Sequence, residues 1–241
     1  MILQDNLNQL LNQRTPDAYQ KAAVLMQETA REMLLRLDCL TIKPALIVNI
    51  SWGGKELESF LAERYPQSQI MTLHPSEIVS ISHHTVDLIT ANLVLPWCHD
   101  FANLLQECKK MLKPSGVLML SSLGPDTLRE LQKAAFIVPH FVDMHDIGDL
   151  LIHTSFVEPV LDVDYVTFRY CDHAQLFHEL QVTGMIMGNV HEVCLEKNTD
   201  SFYPITYEVI FGHAFQSDAL LEHGADQDGI VRIPISHLSK R

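Results

Sequence analysis

The sequence lacks any apolar run that could cross a membrane. No run reaches the roughly 18 residues that a spanning helix needs. The first six residues, M-I-L-Q-D-N, contain neither the basic nor the apolar part of a secretory signal. We therefore expect no membrane contact and no secretory signal, and we predict a cytoplasmic protein.

Cysteines at metal-binding or disulfide spacing are also lacking. The chain has five cysteines, an odd number, and no C-x-x-C pattern. A disulfide framework and a zinc site are therefore unexpected. The cluster His140, Asp143, His145 and Asp146 has metal-ligand chemistry, but no H-x-x-x-H spacing or second ligand pair accompanies it. We predict that Asp143 caps a helix there, with Asp146 at its third position, and that the chain holds no metal.

Positive charge is scarce. Seventeen Lys and Arg residues face thirty Asp and Glu residues, which gives a formal net charge of −13. Nucleic acid is an unexpected partner, because neutralising phosphates needs clustered cations. The one dense basic cluster is Lys109, Lys110 and Lys113, with Arg129 and Lys133 further along. It either compensates the negative end of a helix or forms a docking patch for an acidic protein, and both interpretations stay open.

Residues 86–133 have the pattern of a strand, a helix and a second strand. An apolar run ends at Asn92, and a second run covers residues 117–120. Between them, apolar residues recur at helical spacing from Phe101 to Leu112. Two parallel strands would open their carboxyl ends side by side at one edge of the sheet, where open α/β sheets bind ligands. The length of 241 residues suits one α/β domain.

The same stretch carries a family resemblance. N-L-x-L-x-W, from Asn92 to Trp97, is followed by K-P-x-G-x-L-x-x-S-x-L-G-P-D-T-L-x-E-L, which begins at Lys113. This pattern resembles the malonyl-[acyl-carrier-protein] O-methyltransferases of biotin synthesis, and G-P-D-T-L-R-E-L is not a general methyltransferase motif. The similarity extends to Tyr19, to V-D-M-H-D-I-G-D-L-L and to Y-P-I-T-Y-E-V-I-F-G-H-A-F.

The resemblance implies a fold and an activity. The fold is α/β, with a Rossmann-like, mostly parallel sheet and helices on both faces, in a single domain over residues 1–215 before a polar tail, 216–241. The implied activity is methyl transfer from S-adenosylmethionine to the free carboxylate of a malonyl thioester, with acyl carrier protein as partner. A carboxylate is ionised at pH 7, so this reaction needs no general base. We expect no catalytic acid or base.

The cofactor half of the family pattern is poorly preserved. Where methyltransferases carry D-x-G-x-G-x-G, this chain has Asn49, Ser51, Gly53 and Lys55. The second strand, which should end in an acid that binds the ribose hydroxyls, ends in His74. A hydrogen bond to a charged group contributes roughly 1.5–3 kcal/mol. Losing two acids could therefore weaken cofactor binding by about 3–6 kcal/mol.

The segment after His74 is also short. Family members place a helix, a strand and an adenine-contacting acidic turn here, but only residues 75–85 precede the next strand. One crossover needs roughly 10–12 residues. We therefore predict that the sheet lacks one edge strand.

Seven residues are candidates for the site. The predicted cofactor contacts are Tyr19, Asn49, Gly53, His74 and Asn92, and the predicted substrate contacts are Trp97 and Arg129. Three of them have equally ordinary structural interpretations. Tyr19 could be an aromatic residue at a helix edge, Trp97 an exposed lid over the core, and Arg129 one half of an ion pair.

Two functions remain open. The chain is either a working malonyl-carrier-protein methyltransferase with an unusual cofactor pocket, or a non-catalytic relative that lost the cofactor and acts as a binding or regulatory module. A dinucleotide oxidoreductase is disfavoured, because no G-x-G-x-x-G follows a strand.

Overall fold

The computed structural model describes residues 22–98, 100–131, 141–186 and 197–217, apart from the side chains of residues 79 and 80. Tyr19, Lys133, His140 and the tail 218–241 lie outside these ranges. The predictions made for them are therefore not addressed by the structure.

Six strands and five α-helices make up the described fold. The strands are β1 (Leu46–Ile50), β2 (Gln69–Leu73), β3 (Val86–Ala91), β4 (Leu112–Leu123), β5 (Phe156–Tyr170) and β6 (Tyr203–Gln216). The helices are α1 (Val24–Leu37), α2 (Glu56–Arg64), α3 (Phe101–Met111), α4 (Met144–His153) and α5 (His173–Val182). Short 3-10 helices cover Pro75–Ser80, Leu95–Trp97 and Arg129–Leu131.

The strands form one mixed sheet in the order β2-β1-β3-β4-β6-β5. The pairs β1 with β2, β1 with β3, and β3 with β4 are parallel, whereas β6 is antiparallel to both β4 and β5. Only β6 therefore runs against the other strands. The predicted mostly parallel α/β sheet is confirmed.

The predicted loss of an edge strand is also confirmed. Strand β2 ends the sheet on one side, and no other strand in the described ranges pairs with its outer edge. After β2 the chain forms the 3-10 helix Pro75–Ser80 and then enters β3 at Val86. His74 begins this 3-10 helix with a capping box, because its ring accepts from the Ser76 N–H and its own N–H donates to Glu77. The short segment thus completes one crossover.

Helices cover both faces of the sheet. One hydrophobic cluster joins α1, α2 and α5 to one face, and a second joins α3 and α4 to the other. Because strand residues alternate between faces, Ile47 and Asn49 share the face of α1, while Val48 and Ile50 share the face of α3. No helix in the described ranges is long and apolar enough to span a membrane.

Candidate active site

A cleft opens at the carboxyl ends of β1 and β3. The chain leaves β1 toward β2 on one side and later returns to β3 on the other, so this is the point where the strand order reverses. The cleft is open to solvent, and the space within its walls and mouth amounts to about 490 Å³. Its lining residues are Met26, Asn49, Ile50, Ser51, Trp52, Gly54, Glu56, Leu57, Asn92, Leu93, Trp97 and Thr183.

The turn after β1 is built around a serine and a glycine. Ser51 Oγ accepts from the Gly53 N–H at 3.2 Å and donates to the Gly54 carbonyl at 2.9 Å. Gly53 has φ of +106°, a backbone conformation that side chains rarely adopt. Ser51 therefore stabilises, with its own side chain, the turn that glycines make in the family pattern.

Asn49 lies at the bottom of the cleft, with only 1% of its surface exposed. Its Nδ2 donates to Thr72 Oγ1 at 3.3 Å, and its Oδ1 accepts from Thr90 Oγ1 at 3.1 Å. Thr72 in turn donates to Glu58 Oε2 at 2.8 Å. In the sheet, Asn49 is paired with Thr72 of β2 and with Thr90 of β3. This row of side-chain hydrogen bonds was not predicted from the sequence. The available signal was a polar residue just before the end of each of three strands.

Asn92 connects three elements at the edge of the cleft. Its Oδ1 accepts from Thr29 Oγ1 of α1 and from Ser121 Oγ of β4, each at 2.8 Å. Its Nδ2 donates to the Met26 carbonyl, also at 2.8 Å. Ser121 then accepts from the Leu93 N–H at 2.9 Å. The side chain of Asn92 therefore fixes α1 against the ends of β3 and β4.

Trp52 was not among the predicted site residues. Its Nε1 donates to the Val94 carbonyl at 3.1 Å, and its ring meets the His74 ring edge to face, with centroids 4.9 Å apart. The indole thus reaches from the turn after β1 to residues that follow β2 and β3. The available signal was a bulky residue inside a motif that otherwise favours glycine.

His74 is exposed and is not one of the described residues that line the cleft. Its Nδ1 lies 2.7 Å from Ser76 Oγ. Its ring contacts Trp52, which lines the cleft. Any contact between His74 and a bound ribose stays a prediction.

Trp97 lines the cleft but is not the exposed residue considered from the sequence. Its exposed fraction is 7%, and its Nε1 donates to the Gly184 carbonyl at 3.3 Å. The expectation of exposure was wrong because the indole packs into the core on the α1 face. The ring is therefore fixed at the boundary between core and cleft.

Arg129 begins a 3-10 helix after β4, with 54% of its side chain exposed. Its Nε lies 3.7 Å from Glu130 Oε1, and Arg129 is not among the described residues lining the cleft. The ion-pair interpretation agrees with this contact. Since β4 ends at Leu123, Arg129 still lies at the same edge of the sheet as the cleft.

The lysine cluster lies at the opposite edge. Lys109 and Lys110 are in the last turn of α3, and Lys113 follows at the beginning of β4. Lys110 pairs with Glu107 and Lys113 with Asp87, each at 2.6 Å. Lys113 pairs with Asp87, which lies five residues before Asn92, so at about 3.3 Å per residue roughly 17 Å separate this cluster from the cleft. The ion pairs of Lys110 and Lys113 agree with the interpretation as helix-end compensation, and a docking patch here stays a prediction.

The G-P-D-T-L-R-E-L motif attaches the loop after β4 to β6. The Asp126 N–H donates to Glu208 Oε2 at 2.7 Å. Glu130 accepts from the Thr206 N–H at 3.0 Å and from Thr206 Oγ1 at 2.6 Å. A Cβ at Gly124 would lie 2.3 Å from the carboxyl carbon of Glu208. The described motif residues therefore fix the loop, and the glycine leaves room for a buried carboxylate.

A second cavity, of about 260 Å³, shares Met26 and Thr183 with the cleft. Besides Thr183, three polar side chains lie in its wall: Tyr170, Tyr207 and Glu179. The pKa of Tyr207 is raised, first by burial and then by Tyr170 and Glu179. The pKa of Tyr170 is raised, first by burial and then by Glu179. Tyr170 is hydrogen-bonded to both Tyr207 and Glu179, and both phenols stay protonated at neutral pH.

The predicted helix cap at Asp143 is confirmed. Asp143 Oδ1 accepts from the His145 N–H at 2.8 Å at the beginning of α4. Hydrogen bonds from the backbone and ring of His145 hold the pKa of Asp143 below its usual value. In the ranges that the structure describes, no three His, Cys, Asp or Glu side chains are grouped to hold a metal ion.

Known proteins match this chain at the levels of domain, sequence and fold. Residues 49–120 match a family described as a methyltransferase domain. The Malonyl-[acyl-carrier protein] O-methyltransferase of Gallionella capsiferriformans (strain ES-2) is 31% identical, covering 84% of this chain and 88% of the relative. The enzyme of the same name from Methylovorus sp. (strain MP688) is 30% identical, covering 86% of this chain and 87% of the relative.

Among solved structures, the chain is similar in fold to phosphoethanolamine N-methyltransferase 2 of Haemonchus contortus, solved with S-adenosylhomocysteine. The TM-score is 0.55 at 10% identity, over 88% of this chain and 60% of the other. This similarity concerns the fold alone. The extended sequence identity, in contrast, identifies the family, and the chain belongs to the malonyl-[acyl-carrier protein] O-methyltransferases.

Proposed function

We propose that the protein transfers a methyl group from S-adenosylmethionine to the free carboxylate of a malonyl thioester on acyl carrier protein, a step of biotin synthesis. The observation that carries the proposal is a cleft of about 490 Å³ at the switch point of the sheet in a chain 31% identical to a named relative over 84% of its length. The alternative of a non-catalytic module gains no support from the names of the relatives.

The position of the cleft and the shape of its backbone suit the cofactor. The turn at Ser51 and Gly53 brings backbone close to the cleft, as the methionine part requires. Asn49 supplies a neutral amide where the family has an acid. Asn92 lies at the opposite lip, and we keep His74 and Tyr19 as proposed further contacts. When bound, S-adenosylmethionine supplies a methyl group activated by a positively charged sulfur.

The chain has mainly to position the reactants, because an ionised carboxylate attacks without a general base. Trp97 is the proposed aromatic wall beside the positive sulfur, since its buried ring lines the cleft. Arg129 is the proposed cation for the acceptor. Its exposed side chain would meet the malonyl carboxylate, or the carrier, at the mouth of the cleft.

The carrier should dock at the carboxyl edge of the sheet. The lysine cluster lies at the amino end of β4, at the edge of the sheet opposite to the cleft. Arg129 is a described cation on the correct edge. With a formal net charge of −13, the rest of the protein should repel an acidic carrier, which makes this one arginine matter more.

Two measurements on the full chain test the proposal. Calorimetric titration with S-adenosylmethionine should give micromolar binding, and mass spectrometry should detect a methyl ester on malonyl acyl carrier protein. No binding at millimolar cofactor would refute the proposal. Arg129→Ala should raise KM for the carrier substrate. The matched control is Arg64→Ala, which should leave KM unchanged, because Arg64 is an exposed arginine that pairs with Asp38 in the last turn of α2, at the opposite edge of the sheet.

A further inference from the structure

Trp52 occupies the part of the cleft that faces β2. Its ring meets His74, the first residue after β2, and its indole N–H is bonded to Val94 beyond the end of β3. The side chain is partly exposed and lines the cleft. In doubly wound sheets the ribose of a nucleotide lies near the end of the second strand. The indole therefore stands where a nucleoside would enter.

Two acids that the family uses to hold the nucleoside are missing from this region, although Glu56 at the beginning of α2 also lines the cleft. Asn49 stands in place of the first acid and His74 in place of the second. The segment after His74 is a single 3-10 helix rather than an adenine-contacting strand and turn. Hydrogen bonding by carboxylates, which would recognise the ribose hydroxyls, is not available from these positions.

We propose that Trp52 is the nucleoside-binding residue of this cleft, and that its indole stacks on adenine in place of the missing carboxylate contacts. The inference rests on the proposed function for the identity of the cofactor. Two contacts hold the ring before any ligand arrives, the hydrogen bond to Val94 and the edge-to-face contact with His74. A ring that is already fixed loses little freedom on binding. Recognition then depends on the base more than on the ribose.

The first test compares Trp52→Phe with Trp52→Leu in the full chain, by calorimetric titration with S-adenosylhomocysteine. Phenylalanine keeps an aromatic face, whereas leucine keeps bulk without a ring. Stacking of one base contributes about 1–3 kcal/mol, so Trp52→Leu should weaken binding about 5- to 150-fold. Trp52→Phe should stay within about threefold of the wild type. Unchanged or tighter binding by Trp52→Leu would overturn the proposal, because the indole would then be blocking the cleft.

The second test uses the ribose. Adenosine and 2′-deoxyadenosine compete with S-adenosylhomocysteine, and their affinities should differ by less than about threefold if no carboxylate accepts from the hydroxyl. A loss of more than about 30-fold for the deoxy compound would overturn the proposal, since one charged hydrogen bond contributes about that much.

Tryptophan fluorescence covers the case in which Trp52→Leu fails to fold. The chain has two tryptophans, so a signal that Trp52→Phe abolishes belongs to Trp52. Adenosine should quench the wild type and not Trp52→Phe, and equal quenching of both proteins would overturn the proposal. Quenching by adenosine without binding of S-adenosylmethionine would reject the proposed enzyme while supporting the nucleoside site. Binding of neither ligand would reject both.

Discussion

Replacement of Asn92 by alanine should loosen the cleft and destabilise the fold. The substitution removes three hydrogen bonds, to Thr29, Ser121 and Met26, each 2.8 Å long. A typical hydrogen bond contributes a net 0.5–1.5 kcal/mol. Ser121 is fully buried, so its hydroxyl would lose an acceptor that water cannot easily replace. We expect a loss of about 2–4 kcal/mol in the free energy of unfolding.

Urea denaturation of wild type and Asn92→Ala measures this change, and titration with S-adenosylhomocysteine measures its effect on the cleft. A double-mutant cycle with Thr29→Val separates the contact to α1 from the rest, because that pair should show a coupling of about 0.5–1.5 kcal/mol. A stability loss below about 0.5 kcal/mol, or no coupling to Thr29, would refute the reasoning.

Asn92→Asp gives an independent check of the same geometry. A carboxylate can still accept from Thr29 and Ser121, but it replaces the donor to Met26 with a second acceptor. Two oxygens would then face each other at neutral pH, so the variant should be less stable than the wild type. Protonation of the carboxyl restores a donor, and the deficit relative to wild type should shrink as the pH falls below about 5. A deficit that does not depend on pH would contradict the donor assignment.

Three further predictions concern stability and are checked by chemical or thermal unfolding. Asp87 accepts from two backbone N–H groups at the beginning of β1, so Asp87→Ala should cost about 2–4 kcal/mol and Asp87→Asn, which keeps one acceptor, clearly less; equal losses would contradict this. Gly124→Ala would place a Cβ against buried Glu208 and should cost about 1–3 kcal/mol; a neutral effect would show that the carboxylate moves freely. Burial raises the pKa values of Tyr170 and Tyr207 in the folded state. The two phenols therefore contribute fully to the free energy of unfolding below about pH 10, and their contribution decreases as the pH rises above that value. In Tyr207→Phe the free energy of unfolding should decrease less at alkaline pH than in the wild type.

Periodicity and turn residues were sufficient to predict the sheet. The parallel β3–α3–β4 unit, the missing edge strand and the cap at Asp143 follow from local patterns that tertiary contacts did not override. The backbone conformation expected of the motif glycine is also found, since Gly53 has a positive φ, whereas its contact with the cofactor stays a prediction. These features depend on the sequence nearby.

Side-chain contacts between distant segments could not be predicted in the same way. Trp97 was considered as an exposed residue, yet it packs into the core, and its indole donates to the carbonyl of Gly184, 87 residues away. The ion pairs of Lys110 with Glu107 and of Lys113 with Asp87, and their position at the edge opposite to the cleft, were likewise not predicted. The exposure of a side chain, and the edge of the sheet on which it lies, depend on which helices and strands pack together. The spacing of residues along the sequence does not give this information.

The hydrogen bonds of Asn49 explain why position 49 holds an amide instead of the acid of the family pattern. Thr72 donates its hydroxyl hydrogen to Glu58 and so presents only its lone pairs to Asn49, whose Nδ2 supplies the donor. An aspartate at position 49 would have no such donor, and it would place a second carboxylate one hydroxyl away from Glu58 at a site only 1% exposed. Burying an unpaired charge is far more costly than burying an amide. An amide at position 49 therefore satisfies the hydrogen bonds with Thr72 and Thr90, whereas a carboxylate would not. The proposed stacking by Trp52, in the turn after β1, would let the cleft bind a nucleoside without a carboxylate at position 49.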